Sequence, residues 1–390
     1  MTIKELAFSA QQHLQSSIGA SFKRAHIYEL LAASFGFNSH AAFGVDTVLT
    51  ELRPNDSQSV PQSSLIKRRC IELGYQLDTA TLATSLLESF LAERRIGVTS
   101  ISSLISCLRG ESTNHDYELE YDENEDDDEL FDYSEAIKRF ERTEADKLFT
   151  PTDEEFGPIL LDGLDAAASK GNALAHYALA LIYAPDDDGN PNSGNSYWYS
   201  EGLKGRILTG VEKEWAEAYK SHLVKAAKYS YHLREAGRLG HQGALLNLAE
   251  HFGDPLFFEQ PRIDADVDPM VVADIAERMD RNEDARHWLT LAAERGNTDA
   301  MLRLIEEYEY HDLQRSWQWV YLSKLVGTDL TEDAHYAVDE NGSDYDDDVG
   351  GPAYVAGRSG VDLCPLNPEQ DATARIAAQK LFEQIERTKR

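Results

Sequence analysis

Residues 285–309 read ARHWLTLAAERGNTDAMLRLIEEYE, and this stretch decides the fold. Gly296 is followed by Ala300, Leu304 and Tyr308 at steps of four residues, which places the three side chains on one stripe of a helix. Two alanines precede the glycine, and small residues there let two helices approach closely. Because a glycine can take the positive φ that ends a helix, the stretch predicts two antiparallel helices joined by a tight turn.

The same pattern occurs three times in the chain. The other two sets are Gly171, Ala175, Leu179 and Tyr183, and then Gly240, Ala244, Leu248 and Phe252. A fourth first helix follows, in which Trp319 and Gly327 repeat the frame of Trp288 and Gly296. The sequence therefore predicts an array of helix pairs over about residues 157–327.

At these positions the chain resembles the Sel-one-like repeat family, a branch of the tetratricopeptide-like α-solenoids. Repeats of this kind are usually about 35 to 45 residues long. The glycines here are 69 (171 to 240), 56 (240 to 296) and 31 (296 to 327) residues apart, so the first two intervals must hold insertions. The resemblance implies a scaffold that binds other proteins along a concave groove, and its motif carries no catalytic residues.

Length and charge limit the classes of function. A chain of 390 residues is long enough for two or three domains, and 42% hydrophobic residues suffice for a core. The formal charge of −32 argues against wholesale binding to nucleic acid or to an anionic membrane, because both would repel the chain. Basic proteins and cations are the more natural partners.

The sequence carries no targeting signal that we recognise. The opening MTIKELAFSAQQHLQSS has no apolar run of secretory length, and no later stretch approaches the roughly 20 apolar residues of a membrane span. The three cysteines are widely spaced and lack metal-ligand spacing. We therefore expect a cytoplasmic protein.

Residues 1–110 are nearly neutral and show apolar residues at helical spacing, which predicts a small all-α domain of five or six helices. Within it, ELLAASFGFNSHAAF (29–43) fits either a helix-turn-helix that reads DNA or a structural helical corner. The second helix would present His40, Ala41, Ala42 and Phe43, which lack the polar groups that read bases, so the corner is favoured.

The same region resembles a short helical module found at the N-termini of bacterial proteins, often from mobile elements. His26, Glu29, Ala32, Gly36 and Phe37 carry this likeness over about 20 residues. Three basic clusters, at 23–24, 67–69 and 94–95, fit either phosphate contacts or solvated helix faces, and we favour solvated faces.

Residues 111–135 contain thirteen Asp or Glu and no Lys or Arg, which predicts a disordered or extended acidic linker. Tyr121 and Phe131 lie among the charges, a composition suited to docking on a basic groove with apolar pockets. That groove belongs either to a partner or to the N-terminal domain of this chain. The basic helix predicted at 211–240 is a further candidate surface for the linker, and a solvated helix face is the simpler interpretation of its charges.

The two insertions supply the remaining candidates for partner binding. In the first, APDDDGNPNSGNSYWYSEGLKG (184–205) is predicted to be a loop, and Tyr197 and Trp198 are either core or a binding patch. Its aspartates do not match an EF-hand. In the second, Leu256, Phe257 and Phe258 form a concentrated apolar triplet that we expect to contact a partner.

After residue 327 the repeat pattern ends. We expect an acidic loop with a short helix at 331–338 and then a helix that caps the array, with an apolar stripe at Ala374, Ala378, Leu381 and Ile385. No catalytic, metal-binding or phosphate-binding motif occurs, so we expect no cofactor, no metal and no small-molecule substrate.

The sequence thus predicts an all-α chain with four regions: a helical domain (1–110), an acidic linker (111–135), a repeat solenoid (136–327) and an acidic loop with a capping helix (328–390). We expect a non-enzymatic scaffold that binds a protein partner through the groove and the inserted loops. The alternative is a regulator that touches nucleic acid through residues 1–110, and an enzyme is a distant third.

Overall fold

The fold is mostly helical. A computed structural model describes residues 1–43, 45–52, 62–110, 156–184, 193–260, 267–339 and 352–388. Of the described residues, 67% are helical and 7% are in strands, and these ranges contain sixteen helices and no closed sheet. The helical class is therefore confirmed. The chain divides into two compact units, Met1–Asp254 and Pro255–Arg390.

The described part of the first unit contains ten helices and two strands. In chain order they are α1 (Ile3–Ile18), α2 (Arg24–Ser34), β1 (Thr47–Glu51), α3 (Ser63–Glu72), α4 (Leu77–Glu93), β2 (Ile96–Ser100), α5 (Ile101–Leu108), α6 (Pro158–Ala168), α7 (Ala173–Ile182), α8 (Ser193–Leu203), α9 (Val211–Arg238) and α10 (Gln242–Phe252). Strands β1 and β2 pair antiparallel, with Thr47 opposite Ser100 and Glu51 opposite Ile96.

The core of residues 1–110 is built from the apolar stripes of its helices and includes a residue of α6. Its largest fully buried side chains include Leu6, Leu14, Phe22, Ile27, Leu30, Ile66, Leu87, Leu91 and Ile159. The backbone N–H of Ile3 also donates to Asp162 on α6 at 2.8 Å. The β1–β2 pair was not predicted, because each strand has only five residues and the helical spacing around it dominates the pattern.

The second helix of the alternative helix-turn-helix is not formed. After α2 the chain makes a turn at residues 40–43 and then enters β1. Phe43 is buried beside Phe37, with ring centroids 5.1 Å apart. The structural corner is therefore what the described residues show, and its aromatic side chains support the core.

The basic clusters of this region are largely engaged with neighbouring side chains. Arg69 pairs with Glu72 and lies 3.5 Å from Glu29, and the guanidinium of Arg94 lies over the ring of Phe90. Arg68 also pairs with Glu72. Such contacts are typical of solvated helix faces. They do not leave these basic side chains in a row that could bind phosphates.

The three repeat turns are built in the same way. Their glycines adopt positive φ, at +82° for Gly171, +88° for Gly240 and +97° for Gly296. The side chain of the residue after each glycine then caps the next helix, because it accepts a hydrogen bond from the backbone N–H of the repeat alanine. The three bonds run from Ala175 to Asn172 at 3.2 Å, from Ala244 to His241 at 3.1 Å and from Ala300 to Asn297 at 2.8 Å. Each turn thus satisfies backbone groups on both helices that it joins.

The other repeat positions are mostly buried. The alanines and leucines of the pattern are at most 3% exposed: Ala175, Ala244, Ala300, Leu179, Leu248 and Leu304. Tyr183, Trp288 and Trp319 are buried as well, whereas Phe252 and Tyr308 are half-buried. The repeated residues therefore pack the helices against one another, and residues at other positions form the solvent-facing surface.

A polar network joins three helices of the first unit. Arg109, just after α5, donates to the hydroxyl of Tyr177 on α7 at 2.7 Å, and that hydroxyl donates to Asn247 on α10 at 2.9 Å. The ring of Tyr177 stacks on His241, with centroids 4.2 Å apart. The network fixes the repeat helices α7 and α10 against the end of the N-terminal region.

The second unit continues the helical pattern and ends in a β-hairpin and a long helix. It contains α11 (Leu256–Glu259), α12 (Pro269–Arg278), α13 (Asn282–Glu294), α14 (Thr298–Arg303), a π-helical turn (Leu304–Tyr308), α15 (Leu313–Val326), β3 (Ala334–Val338), β4 (Tyr354–Arg358) and α16 (Pro368–Thr388). Helix α12 packs against α13, and α15 packs against α16.

Helix α16 covers the last repeat turn, as a capping helix would. Its residues Ala374, Ala378 and Ile385 are buried, and Ile385 packs against Gly296. The hydroxyl of Tyr321 on α15 hydrogen-bonds to Asp371 on α16. An apolar stripe and a polar clamp therefore hold α16 on α15.

Two of our predictions about local structure were wrong. The expected helix at 331–338 is a strand, β3, which pairs antiparallel with β4 so that Ala334 lies opposite Arg358. The first insertion, expected to be a loop throughout, forms α8 over Ser193–Leu203. Glycine and asparagine in SGNSYWYSEGL suggested a loop, but packing against α9 overrides that weak local preference.

The repeat turn supplies a direct test of the fold. No atom lies within 4 Å of a Cβ placed on Gly240, so Gly240→Ala adds only the strain of a left-handed backbone. We expect it to lower the free energy of unfolding of the first unit by about 1–2 kcal/mol. Urea denaturation followed by far-ultraviolet circular dichroism measures this change.

Gly240→Asn is the matched control, because asparagine tolerates the left-handed conformation better than alanine does. It should therefore lose less stability than the alanine variant. If the alanine variant is as stable as the parent chain, the positive φ of Gly240 is not what the turn requires.

Candidate protein-binding surface

The 69-residue first interval between repeat glycines holds a helical hairpin made of α8 and the first half of α9. Helix α9 is 28 residues long, and its second half packs against α7 and α10 as a repeat helix. Its first half packs against α8, with the rings of Tyr199 and Tyr219 5.4 Å apart over a small core that includes Leu223. The inserted segment therefore extends a repeat helix beyond its neighbours.

The turn between the two helices is ordered by charged and aromatic contacts. Arg206 reaches Glu212 at 3.2 Å, and Lys204 reaches Glu201 at 2.9 Å. The guanidinium of Arg206 also lies over the ring of Trp198, 4.6 Å from its centroid. These contacts hold the connection in place at the far end of the hairpin.

Five large apolar side chains are exposed around that connection. Their exposed fractions are 53% for Tyr197, 67% for Leu203, 87% for Ile207, 54% for Val211 and 45% for Trp215. We call these five residues the tip surface. Single exposed apolar residues are common, but a group on two adjoining helices and their connection is typical of an interaction site.

The charges beside the tip surface are paired with one another. In addition to the contacts of Arg206 and Lys204, Lys213 lies 3.5 Å from Glu217. Paired charges around apolar side chains form the polar rim that surrounds the centre of many protein interfaces. The composition of the hairpin end thus fits a site for another protein.

The sequence found part of this surface. Tyr197 belongs to the tip surface, and Trp198 is half-buried next to it, with ring centroids 5.1 Å apart. Trp198 therefore supports Tyr197 and Arg206 from beneath. Leu203, Ile207, Val211 and Trp215 were not predicted as parts of a binding surface. The signal that was present is the spacing of four between Val211 and Trp215 at the exposed start of α9.

The three residues of the apolar triplet in the second insertion differ in how far they are buried. Phe257 is 7% exposed and packs against Trp288, with ring centroids 6.1 Å apart. Phe258 is half-buried under the guanidinium of Arg281, and Leu256 is 48% exposed. Phe257 is therefore a core residue, because α11 turns its side chain towards α13. This burial corrects our expectation of a partner contact at Phe257. Tyr121 and Phe131 lie outside the described residues.

A polar cluster surrounds the buried Glu309, the residue that follows the π-helical turn. Its carboxylate is fully buried and meets Trp319 Nε1 at 2.7 Å, Arg315 Nε at 2.8 Å and Arg286 Nη2 at 3.3 Å. An open cleft of about 570 Å³ lies beside it and is lined by residues including Tyr308, His311 and Gln370.

The contacts of Glu309 are those of a structural centre. Both carboxylate oxygens face donors of the protein. The π-helical turn places Glu309 there: its N–H donates to the carbonyl of Leu304 at 2.7 Å, five residues back. The centre joins α13 to α15. In the described ranges no group of His, Cys, Asp or Glu is placed to hold a metal ion.

Two buried histidines lie where α7 meets α9. His176 Nδ1 and His232 Nδ1 are 3.0 Å apart, and both side chains are less than 10% exposed. Burial lowers the pKa of His232 from 6.5 to about 3, and the neighbouring His176 and Lys228 add to this effect. Burial also lowers the pKa of His241 to about 4. His176 and His232 are therefore neutral at pH 7 and form part of the core.

A scan against protein-family models and searches of curated proteins and of solved structures give no match to this chain. The function therefore has to be argued from the chain's own surface. In the described ranges no helix is both long enough and apolar enough to cross a bilayer.

The histidine pair predicts how the stability of the first unit depends on pH. Because the folded-state pKa of His232 is lowered, the unfolded chain binds more protons between about pH 6.5 and pH 3, so stability falls as the pH falls through this window. Urea denaturation at pH 7, 6, 5 and 4 should show for His232→Leu a shallower loss than for the parent chain, by about 1 kcal/mol per pH unit.

The exposed His251 provides the control. A shallower pH dependence in His232→Leu than in His251→Gln assigns the effect to the buried ring. If His232→Leu keeps the parent's slope, the buried ring titrates no differently in the folded and unfolded chains.

Proposed function

We propose that this protein is a non-enzymatic, helical-repeat scaffold that binds a protein partner through the tip surface. The single observation that carries the proposal is the exposure of five large apolar side chains on an inserted hairpin with an ordered end. We further propose that the helix pairs belong to a short Sel-one-like solenoid, on the strength of the repeated glycine turns and their capping residues. The cytoplasm is the proposed location.

The insertion lies where repeat proteins carry their binding elements. In repeat arrays, insertions within a repeat form surface elements on one side of the array, often the binding side. The repeat frame makes α9 rigid through its contacts with α7 and α10, so the tip surface is presented on a fixed support. A rigid support lowers the entropy that binding would otherwise cost.

The chemistry of the tip surface is sufficient for a stable contact. Complete burial of one large apolar side chain contributes about 1.5–3 kcal/mol. Trp215 and Tyr197 are residue types enriched at the energetic centres of interfaces. The net charge of −32 favours a basic partner through long-range attraction, while the apolar side chains supply the close contact.

The alternative of a nucleic-acid-associated regulator has less support. The residues after α2 form a turn instead of a recognition helix, and basic residues such as Arg69 and Arg94 contact their own neighbours. An enzyme would need an accessible reactive group in a cleft. The buried carboxylate nearest the open cleft, Glu309, faces protein donors.

Leu203→Asp tests the proposal at the tip surface. Leu203 is 67% exposed, so the substitution should change folding stability by less than about 0.5 kcal/mol while it places a charge in the proposed contact. Affinity purification of the tagged full chain from the host, read by quantitative mass spectrometry, should show a protein that is enriched by the parent chain and lost with the variant.

Leu82→Asp is the matched control, because Leu82 is 56% exposed on α4 of the same unit. It should retain the same protein. Equal recovery of that protein by all three chains would move binding away from the tip surface. If light scattering shows a dimer that only Leu203→Asp dissociates, the tip surface joins two copies of the chain and the proposal fails.

A further inference from the structure

The β3–β4 hairpin, which stands where a short helix was predicted at 331–338, is anchored at one end. The N–H of Val361 and the guanidinium of Arg358 donate to the carbonyl of Leu330 at 2.8 and 3.0 Å. The N–H of Gly360 donates to Asp333 Oδ1 at 2.7 Å, and Leu330 is 2% exposed. The base of the hairpin is therefore held near the end of α15.

The strands themselves are exposed on both faces. Of the ten strand residues only Val338 is buried, and three large side chains are more than half exposed: Tyr336 at 56%, Tyr354 at 53% and Val355 at 79%. In the described ranges no third strand pairs with either edge. Because a two-stranded sheet is marginally stable by itself, addition of a strand would stabilise it.

The edge of β3 is the more regular of the two. Its five residues include no glycine or proline. Strand β4 contains Gly357 at a φ of +99°, where a Cβ would meet the carbonyl oxygen of Ala334. A residue in that conformation bends the strand and interrupts its outer edge, so an added strand would pair better with β3.

The charges near β3 favour one chemical class of strand for pairing with its edge. Glu332, Asp333 and Asp339 adjoin the strand in the sequence, and residues 328–339 contain no Lys or Arg. Asp329 forms an ion pair with Lys324 at 2.9 Å, and Arg358 on β4 lies opposite Ala334. Acidic residues at a sheet edge repel a second copy of this acidic chain and attract a basic segment. Exposed Tyr336 provides an apolar contact for the stems of lysine or arginine side chains.

From this arrangement we propose that the outer edge of β3 binds an extended, lysine- or arginine-bearing segment of another protein, which adds as a third antiparallel or parallel strand. Backbone hydrogen bonds would supply affinity, and the acidic flanks would supply the preference for a basic sequence. This surface lies in the second unit and is separate from the tip surface, so either proposal can fail alone.

The test uses the full chain and a fluorescent peptide of about nine residues that alternates lysine with valine, long enough to span the five residues of β3. Fluorescence anisotropy should show binding that weakens as salt rises from about 50 to 300 mM. Hydrogen exchange read by mass spectrometry should show slower exchange in residues 334–338 on peptide addition. Peptides with glutamate in place of lysine, or with proline at alternate positions, should not bind.

Tyr336→Ala should weaken peptide binding by about two- to fivefold, the effect of one cross-strand side-chain contact. Tyr310→Ala is the matched control, because Tyr310 is 58% exposed in the same unit outside the hairpin, and it should bind as the parent chain does. Equal affinity for the proline peptide, or binding without protection of 334–338, would reduce the effect to non-specific charge attraction and overturn the proposal. Protection of β3 without peptide, together with a dimer, would assign the edge to a second copy and also overturn it.

Discussion

The structure depends on one local constraint, the glycine turn that is closed by a side-chain cap. In each of the three turns, a glycine at positive φ ends one helix and the next residue accepts the N–H of the alanine four positions after the glycine. That alanine is fully buried, so one position both closes the turn and lets the helices approach closely. The helix pairs need no contact with residues far along the chain to form, because each turn fixes the direction of the next helix within five residues.

This constraint explains why helices and repeats could be predicted from the sequence while other elements could not. Steps of four residues predicted α7, α10 and α14 correctly, because the alanines and leucines at these steps are buried. The strands β1 to β4 are each five residues long and depend on a partner far along the chain, as Thr47 does on Ser100. Nothing in a local window reports such a partner, so the local pattern did not indicate β3 and the prediction of a short helix at 331–338 was wrong.

The candidate surface was predicted in part for a related reason. Tyr197 stood out by residue type, but the exposure of Leu203 and Ile207 arises because the hairpin extends past the helices that bury α9. Phe257 shows the opposite case, since a residue in an apparent loop is buried against Trp288. Composition identifies apolar side chains, whereas the packing of neighbouring elements decides which of them reach the surface.

The same frame therefore carries two inserted elements of different chemistry: an apolar helical tip in the first unit and an acidic β-hairpin in the second. The most direct test of the central claim is photo-crosslinking in the host from p-benzoylphenylalanine placed at Ile207, which is 87% exposed, with Leu82 as the comparison site. We predict that ultraviolet light joins position 207, and not position 82, to one distinct protein in stoichiometric amount. Crosslinks that are absent, or that are the same from both positions, would contradict it.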